Sequence, residues 1–116
     1  MLKLENLSVK LSRKSSPLFS IDSVHAPGTL TWIRGASGSG KSTLLRVISG
    51  LQKPTSGTVS IFGHDLWSSS ARNRDRLRAK SMGIVFQDSG VVPCLTIDEN
   101  LSFAQGLSGA LSLIHI

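Results

Sequence analysis

The pattern of apolar residues along the chain predicts an α/β protein. Residues 2–11 alternate between apolar and polar side chains like a β-strand, with a one-residue slip near Asn6 that predicts a bulge. Further strands are predicted at 18–21, 29–33, 58–62 and 82–86; the strands at 29–33 and 82–86 are expected to be buried.

Three helices are expected, two between these strands and one after the last of them. The first follows Gly40, because apolar residues recur at helical spacing from Leu44 to Leu51. The basic stretch 71–80 is predicted to be the second. Thr96 and Glu99 form a capping box that predicts the start of a third helix, which runs to about residue 105. Turns are predicted at 13–17, 26–28 and 53–57, and a loop at 64–70.

A phosphate-binding loop occupies the link between the strand at 29–33 and the first helix. The pattern is glycine, four residues, then Gly-Lys-Ser/Thr. Its glycines let the backbone approach a phosphate, while the N–H groups of the loop and of the helix start face the anion. The predicted nucleotide-binding residues are Gly35, Ser37, Gly38, Ser39, Gly40, Lys41, Ser42 and Thr43.

Two of these residues have assigned chemistry. Lys41 supplies a positive charge for the outer phosphates, and the Ser42 hydroxyl is placed to bind Mg²⁺. The alternative is a chance Gly/Ser-rich turn. The order strand, loop, helix favours the nucleotide site, and we expect the protein to bind a nucleoside triphosphate.

Length, cysteine content and charge restrict the class of protein that the sequence can encode. The 116 residues suit one domain, no apolar run approaches a bilayer span, and Cys94 has no partner for a disulfide. The net charge is +6, and five of the thirteen basic residues lie between Arg72 and Lys80. No aromatic side chain interleaves with them. A solvated helix face is therefore favoured over a nucleic-acid site, and no nucleic acid is expected as partner.

The chain resembles the ATP-binding subunits of ABC transporters. The resemblance rests on motifs in a fixed order: the phosphate loop, then Gly50 to Gly57, Gly63, Gly83-Ile84-Val85-Phe86-Gln87, and Leu95-Thr96-Ile97-Asp98-Glu99-Asn100-Leu101. Arg78 to Gly83, which precedes the glutamine strand, is closest to the lipoprotein-release and macrolide-export type. The match covers the chain to about residue 105.

The resemblance implies further roles. The fold would be a P-loop NTPase core with a small antiparallel β layer, cut off before the helical subdomain and the second half of the sheet. ATP and Mg²⁺ would be the cofactors, with Lys41 and Gln87 on the catalytic side and Ser42 and Gln87 on the metal. Gln87 has a plainer alternative as an exposed polar residue ending a strand. The loop around 87–96 would receive a transmembrane subunit, and a second ATP-binding domain would complete a dimer.

Several features depart from the family. Leu11 stands where an aromatic side chain would stack on adenine; Phe19 either replaces it or belongs to the core. The signature motif, the Walker B aspartate with its glutamate, and the switch histidine are all missing. Leu107 to Ala110 resembles the start of the signature but follows Gln87 too closely, so we interpret it as a helix end or a linker.

The last six residues, 111–116, resemble a translated sequencing-adapter end rather than native sequence; the alternative is a native apolar strand. Residues 1–110 would then be the N-terminal half of an ABC ATP-binding domain.

The predicted function is the ATP-binding component of an ABC transporter. As a full-length protein it would be an ATPase on the cytoplasmic face of a membrane, whereas the 116 residues alone would be inactive. The alternatives are a soluble ABC-type ATPase acting on ribosomes or DNA, and a short non-catalytic nucleotide-binding module.

Overall fold

A computed structural model describes residues 1–10, 15–85, 87 and 90–108. The elements in chain order are β1 (Leu2–Lys10), β2 (Pro17–His25), α1 (Lys41–Ile48), β3 (Ser56–Ile61), β4 (His64–Asp65), α2 (Ala71–Ser81) and α3 (Ile97–Ser108). The chain separates into two compact units, Met1–Arg74 and a second that begins at Asp75. No helix in the described ranges has both the length and the apolar character needed to span a bilayer.

The first unit is built on a four-stranded antiparallel sheet with the order β2-β1-β3-β4. Strand β1 lies inside the sheet, so Leu4 pairs with Ser23 on one side and with Val59 on the other. The predicted alternation of β1 is confirmed, because its apolar side chains from Leu4 to Val9 are buried and belong to one core with those of α1 and β3. The buried apolar residues are Leu4, Leu7, Val9, Leu44, Val47, Val59, Ile61 and Leu66.

The predicted slip near Asn6 is confirmed as an irregularity that both neighbours of β1 share. The register with β2 shifts between Leu4 and Leu7, and Asn6 has a φ of 48°. The Asn6 N–H leaves the ladder and donates to the Asp22 carboxylate at 2.7 Å. Across β1, Gly57 has a φ of 86°, and a Cβ at this position would collide with the Asn6 carbonyl oxygen. The bulge in β1 therefore requires a glycine in β3.

Two predicted strands are not formed. The segment 29–33 pairs with no strand in the described part of the chain, with Leu30 98% and Trp32 80% exposed, and Val85 in the segment 82–85 is 98% exposed. A continuous apolar run is typical of a strand with neighbours on both sides. The described residues include no strand beside either segment, so neither can form a ladder. Residue 86 lies outside the described residues.

The predicted loop at 64–70 is more ordered than expected. Strand β4 pairs with β3, and Leu66, the residue that follows β4 in the chain, is fully buried. The Asp65 carboxylate accepts a hydrogen bond from the backbone N–H of Trp67 at 2.9 Å. The Arg74 guanidinium lies 4.5 Å from the centre of the Trp67 ring, at cation–π distance.

The second unit contains most of α2 and all of α3. The predicted basic helix is confirmed as α2, which buries none of its side chains. Helix α3 begins with the predicted capping box: Thr96 donates its N–H and its hydroxyl to the Glu99 carboxylate at 2.7 and 2.9 Å. The Glu99 N–H donates back to the Thr96 hydroxyl at 3.3 Å. The hydrogen bond from the Thr96 backbone, followed by that from its hydroxyl, lowers the pKa of Glu99.

We expect Gly57→Ala to destabilise the first unit by about 2 kcal/mol or more, because it combines a left-handed backbone with a collision against β1. Gly63 is the matched control, since it also has a positive φ (83°) but its added Cβ would meet nothing within 4 Å. Urea unfolding of the two variants compares them. Equal losses for Gly57→Ala and Gly63→Ala would show that backbone strain alone matters and that the contact with Asn6 does not.

The capping box should make the start of α3 sensitive to acid. Because the pKa of Glu99 is lower in the folded chain, the ionised carboxylate stabilises this end above its unfolded pKa. That contribution is lost as the pH falls through the lowered folded value. The protection of the Thr96 amide against exchange, measured relative to its intrinsic rate at each pH, should therefore fall in acid. Glu99→Gln should remove this pH dependence of the protection. An identical pH profile in Glu99→Gln would contradict this.

Candidate nucleotide-binding site

The phosphate loop ends where α1 begins, as predicted. Gly38 and Gly40 have φ values of 77° and 93°, a left-handed conformation that favours glycine. Gly40 is the N-cap, and no side chain caps this end of α1 in the described structure. Its carbonyl oxygen accepts the first helical hydrogen bond, from the Leu44 N–H at 2.8 Å. The N–H groups of the first turn are therefore left to bind an anion.

The Lys41 ammonium folds back over the loop. It donates to the carbonyl oxygens of Gly35 and Ala36, both at 2.7 Å, and approaches the Ser39 hydroxyl at 3.4 Å. Three acceptors match the three N–H donors of an ammonium. The positive charge is thus held beside the anion-binding backbone, and the first turn of α1 contains no acidic residue that would repel an anion.

Close packing explains two of the loop glycines. A Cβ at Gly35 would lie 2.6 Å from the Ser39 Oγ. A Cβ at Gly40 would lie 3.1 Å from the Phe19 ring of β2, so this half-buried ring packs directly against the loop. Phe19 therefore anchors the loop to the sheet, which favours its interpretation as a packing residue over a free adenine platform. Leu11, the other position considered for adenine, lies outside the described residues.

The predicted hydroxyl ligands are accessible. Ser37 and Ser42 are exposed and Thr43 is half-buried. Mg²⁺ is bound by hard oxygen ligands, and a hydroxyl one residue after the lysine matches this chemistry. The donor set of the loop therefore fits a phosphate together with its metal ion.

Gln87 lies in the second unit and is exposed. Residues 86, 88 and 89 beside it are outside the described residues, as are 109–116. Its roles in metal binding and catalysis stay predictions. Asn100 was not predicted as a functional residue, although its side chain bonds the loop before α3. Its position within the Glu99-Asn100-Leu101 motif was the only signal.

A protein-family model described as "ABC transporter" matches residues 19–115. The chain belongs to the ABC transporter family. The resemblance to its ATP-binding subunits and the α/β P-loop fold class are both confirmed. The match therefore covers the motifs that follow the phosphate loop as well as the loop itself, which alone would not identify the family.

Curated relatives include lipoprotein-release and import ATP-binding proteins. A lipoprotein-releasing system ATP-binding protein of Rhodopirellula baltica is 38% identical over 104 residues, covering 87% of this chain and 45% of the relative. An uncharacterized ABC transporter ATP-binding protein of Mycobacterium tuberculosis is 46% identical over 83 residues, covering 72% and 34%. This ABC transporter chain thus spans less than half the length of these two relatives.

Solved ABC cassettes have the same fold. A dimeric bacterial ABC transporter cassette superposes with a TM-score of 0.81 at 30% identity, covering 93% of this chain and 48% of that one. A dimeric cassette in a post-hydrolysis state, bound to ADP and Pi, gives a TM-score of 0.80 at 31% identity, covering 93% and 48%.

We expect Mg²⁺–ATP to shift the backbone NMR signals of residues 38–43 of the chain, and Gly40→Ala to weaken this binding about tenfold or more. The physical reason is that an alanine would strain the left-handed backbone and press on Phe19. Gly28→Ala is the control, because Gly28 shares a positive φ (75°) in open space away from the loop. Shifts confined to α2 would contradict the assignment of the site.

Proposed function

We propose that the chain is the phosphate-binding part of an ABC transporter ATPase that couples ATP binding and hydrolysis to the movement of a substrate across a membrane. The observation that carries the proposal is the uncapped start of α1, with Gly38 and Gly40 left-handed and Lys41 held over the loop. Family membership adds the transport context.

The residues of the loop divide the work of holding the triphosphate. Backbone N–H groups from Gly38 to Thr43 would bind the phosphate oxygens. Lys41 would exchange its bonds to the Gly35 and Ala36 carbonyls for the outer phosphates. Ser42 and Gln87 would hold Mg²⁺, which when bound neutralises phosphate charge. Gln87 would also orient the attacking water.

The proposed partners follow from the family. The two solved cassettes are dimeric, which supports a second ATP-binding domain as partner. We place the contact with a transmembrane subunit at the loop around 87–96, and the protein at the cytoplasmic face of the membrane.

We propose that residues 1–110 form the N-terminal half of the ATP-binding domain and that 111–116 are not native. The share of the relatives that the chain covers supports the first part of this proposal, as do the exposed apolar side chains of Leu30, Trp32 and Val85. The 116-residue chain would then bind nucleotide weakly and not hydrolyse it, because the family's Walker B carboxylates and signature motif are not in its sequence.

In the longer protein, Lys41→Ala should reduce ATP turnover by roughly a hundredfold or more, since it removes a charge that stabilises the transferred phosphoryl group. Lys53→Ala, which changes an exposed lysine outside the loop, should leave turnover unchanged. Turnover unaffected by Lys41→Ala would overturn the proposal. Lys41-dependent hydrolysis by the 116-residue chain alone would overturn the assignment of the missing catalytic groups.

Sequencing the source DNA beyond the codon for Ala110 tests the proposed boundary. We expect the reading frame to continue into a signature motif and an Asp-Glu pair. A stop codon directly after Ile116 would contradict this and would favour a short, non-catalytic nucleotide-binding module.

A further inference from the structure

The Asn100 side chain gathers the loop before α3 around itself. Its Oδ1 accepts a hydrogen bond from the Val92 N–H at 2.8 Å. Its Nδ2 donates towards the carbonyl oxygens of Thr96, Leu95 and Val92 at 2.9, 3.1 and 3.2 Å. One half-buried amide therefore contacts both ends of the segment 92–96, here named the 92–96 loop.

The Asn100 side-chain amide bonds the loop and does not serve as the cap of α3. The Thr96–Glu99 capping box already satisfies the start of α3. The Asn100 amide instead pairs with both the N–H and the C=O of Val92, as a neighbouring strand would. Because its NH₂ group has only two hydrogens, the three carbonyls share them. This arrangement holds the loop closed.

The tip of the 92–96 loop is a tight turn that is exposed to solvent. The Leu95 N–H donates to the Val92 carbonyl oxygen at 3.0 Å, which forms a tight turn around Pro93 and Cys94. Both residues at the tip of this turn are exposed. The polar backbone of the 92–96 loop is thus bonded inward to Asn100, while its tip faces outward.

We infer that Asn100 is a positioning residue that holds the 92–96 loop in the shape that the transmembrane subunit contacts. The inference rests on the proposed function, which assigns this loop to that contact. A surface ordered before binding loses less conformational freedom on association, so its affinity for the partner is higher. Asn100 would therefore act on the coupling between ATP turnover and the membrane subunit, leaving the chemistry at the phosphate loop unchanged.

A spin label on Cys94 reports the shape of the loop directly, because Cys94 is the only cysteine of the chain. Asn100→Ala should convert a restricted spectrum into a mobile one. Asn100→Asp should do the same, since it keeps the acceptor for Val92 but turns a carboxylate towards three carbonyls. The matched control is Asn73→Ala, which changes an exposed helical asparagine. Unchanged mobility in both Asn100 variants would overturn the inference.

The second readout is ATP turnover by the longer protein with and without its transmembrane subunit. Asn100→Ala should lower the stimulation by that subunit about tenfold, the equivalent of one lost hydrogen-bond network. Basal turnover and the KM for ATP should stay at wild-type values, which a general loss of stability would not allow.

The outcomes separate the inference from the function on which it rests. Wild-type protein without Lys41-dependent turnover would overturn the proposed function, and the inference with it. A stimulated wild type whose Asn100→Ala variant has a mobile Cys94 label but equal stimulation would overturn the inference alone.

Discussion

The open end of α1 is the feature around which the rest of the first unit is arranged. A helix start without a capping side chain leaves N–H groups unsatisfied, and an anion is a favourable partner for them. The left-handed backbone of Gly38 and Gly40 brings the loop to this end, and Lys41 bonds across it. Phe19 of β2 packs on Gly40, so the antiparallel sheet fixes the loop from behind.

A second constraint is that a β-strand needs a neighbouring strand to pair with, and this constraint explains the exposed apolar segments. Residues 29–33 lead directly into the phosphate loop, yet in the described chain only the Thr29 N–H of this segment has a backbone partner, the Ala26 carbonyl oxygen at 3.4 Å. Leu30 and Trp32 both expose large apolar side chains to water, which is unfavourable. This arrangement supports the proposal that further strands of the same domain complete the sheet, which would fix the loop from its N-terminal side as well.

Features encoded within a few residues could be predicted from the sequence. The phosphate loop, the bulge at Asn6 and the Thr96–Glu99 capping box each follow from short patterns with a local physical cause. Features that depend on distant contacts could not. Gly57 was predicted as an ordinary turn glycine, although the neighbouring strand β1 requires a glycine there. Asn100 was noted only as a member of a sequence motif, although its side chain bonds the loop before α3. The predicted strands are wrong over 29–33 and 82–85, because an apolar pattern does not reveal whether a pairing partner is present.

Hydrogen exchange at the amides of Leu30 to Ile33 tests most directly whether this chain is the phosphate-binding half of a larger sheet. In the 116-residue chain these amides should exchange at nearly the rate of an unstructured peptide, because they have no backbone hydrogen-bond partner among the residues that the structure describes. In the longer protein they should be protected by about a hundredfold or more, as expected of a central strand. Equally fast exchange in the longer protein would contradict the account, since it would show that the phosphate loop functions without a paired strand before it.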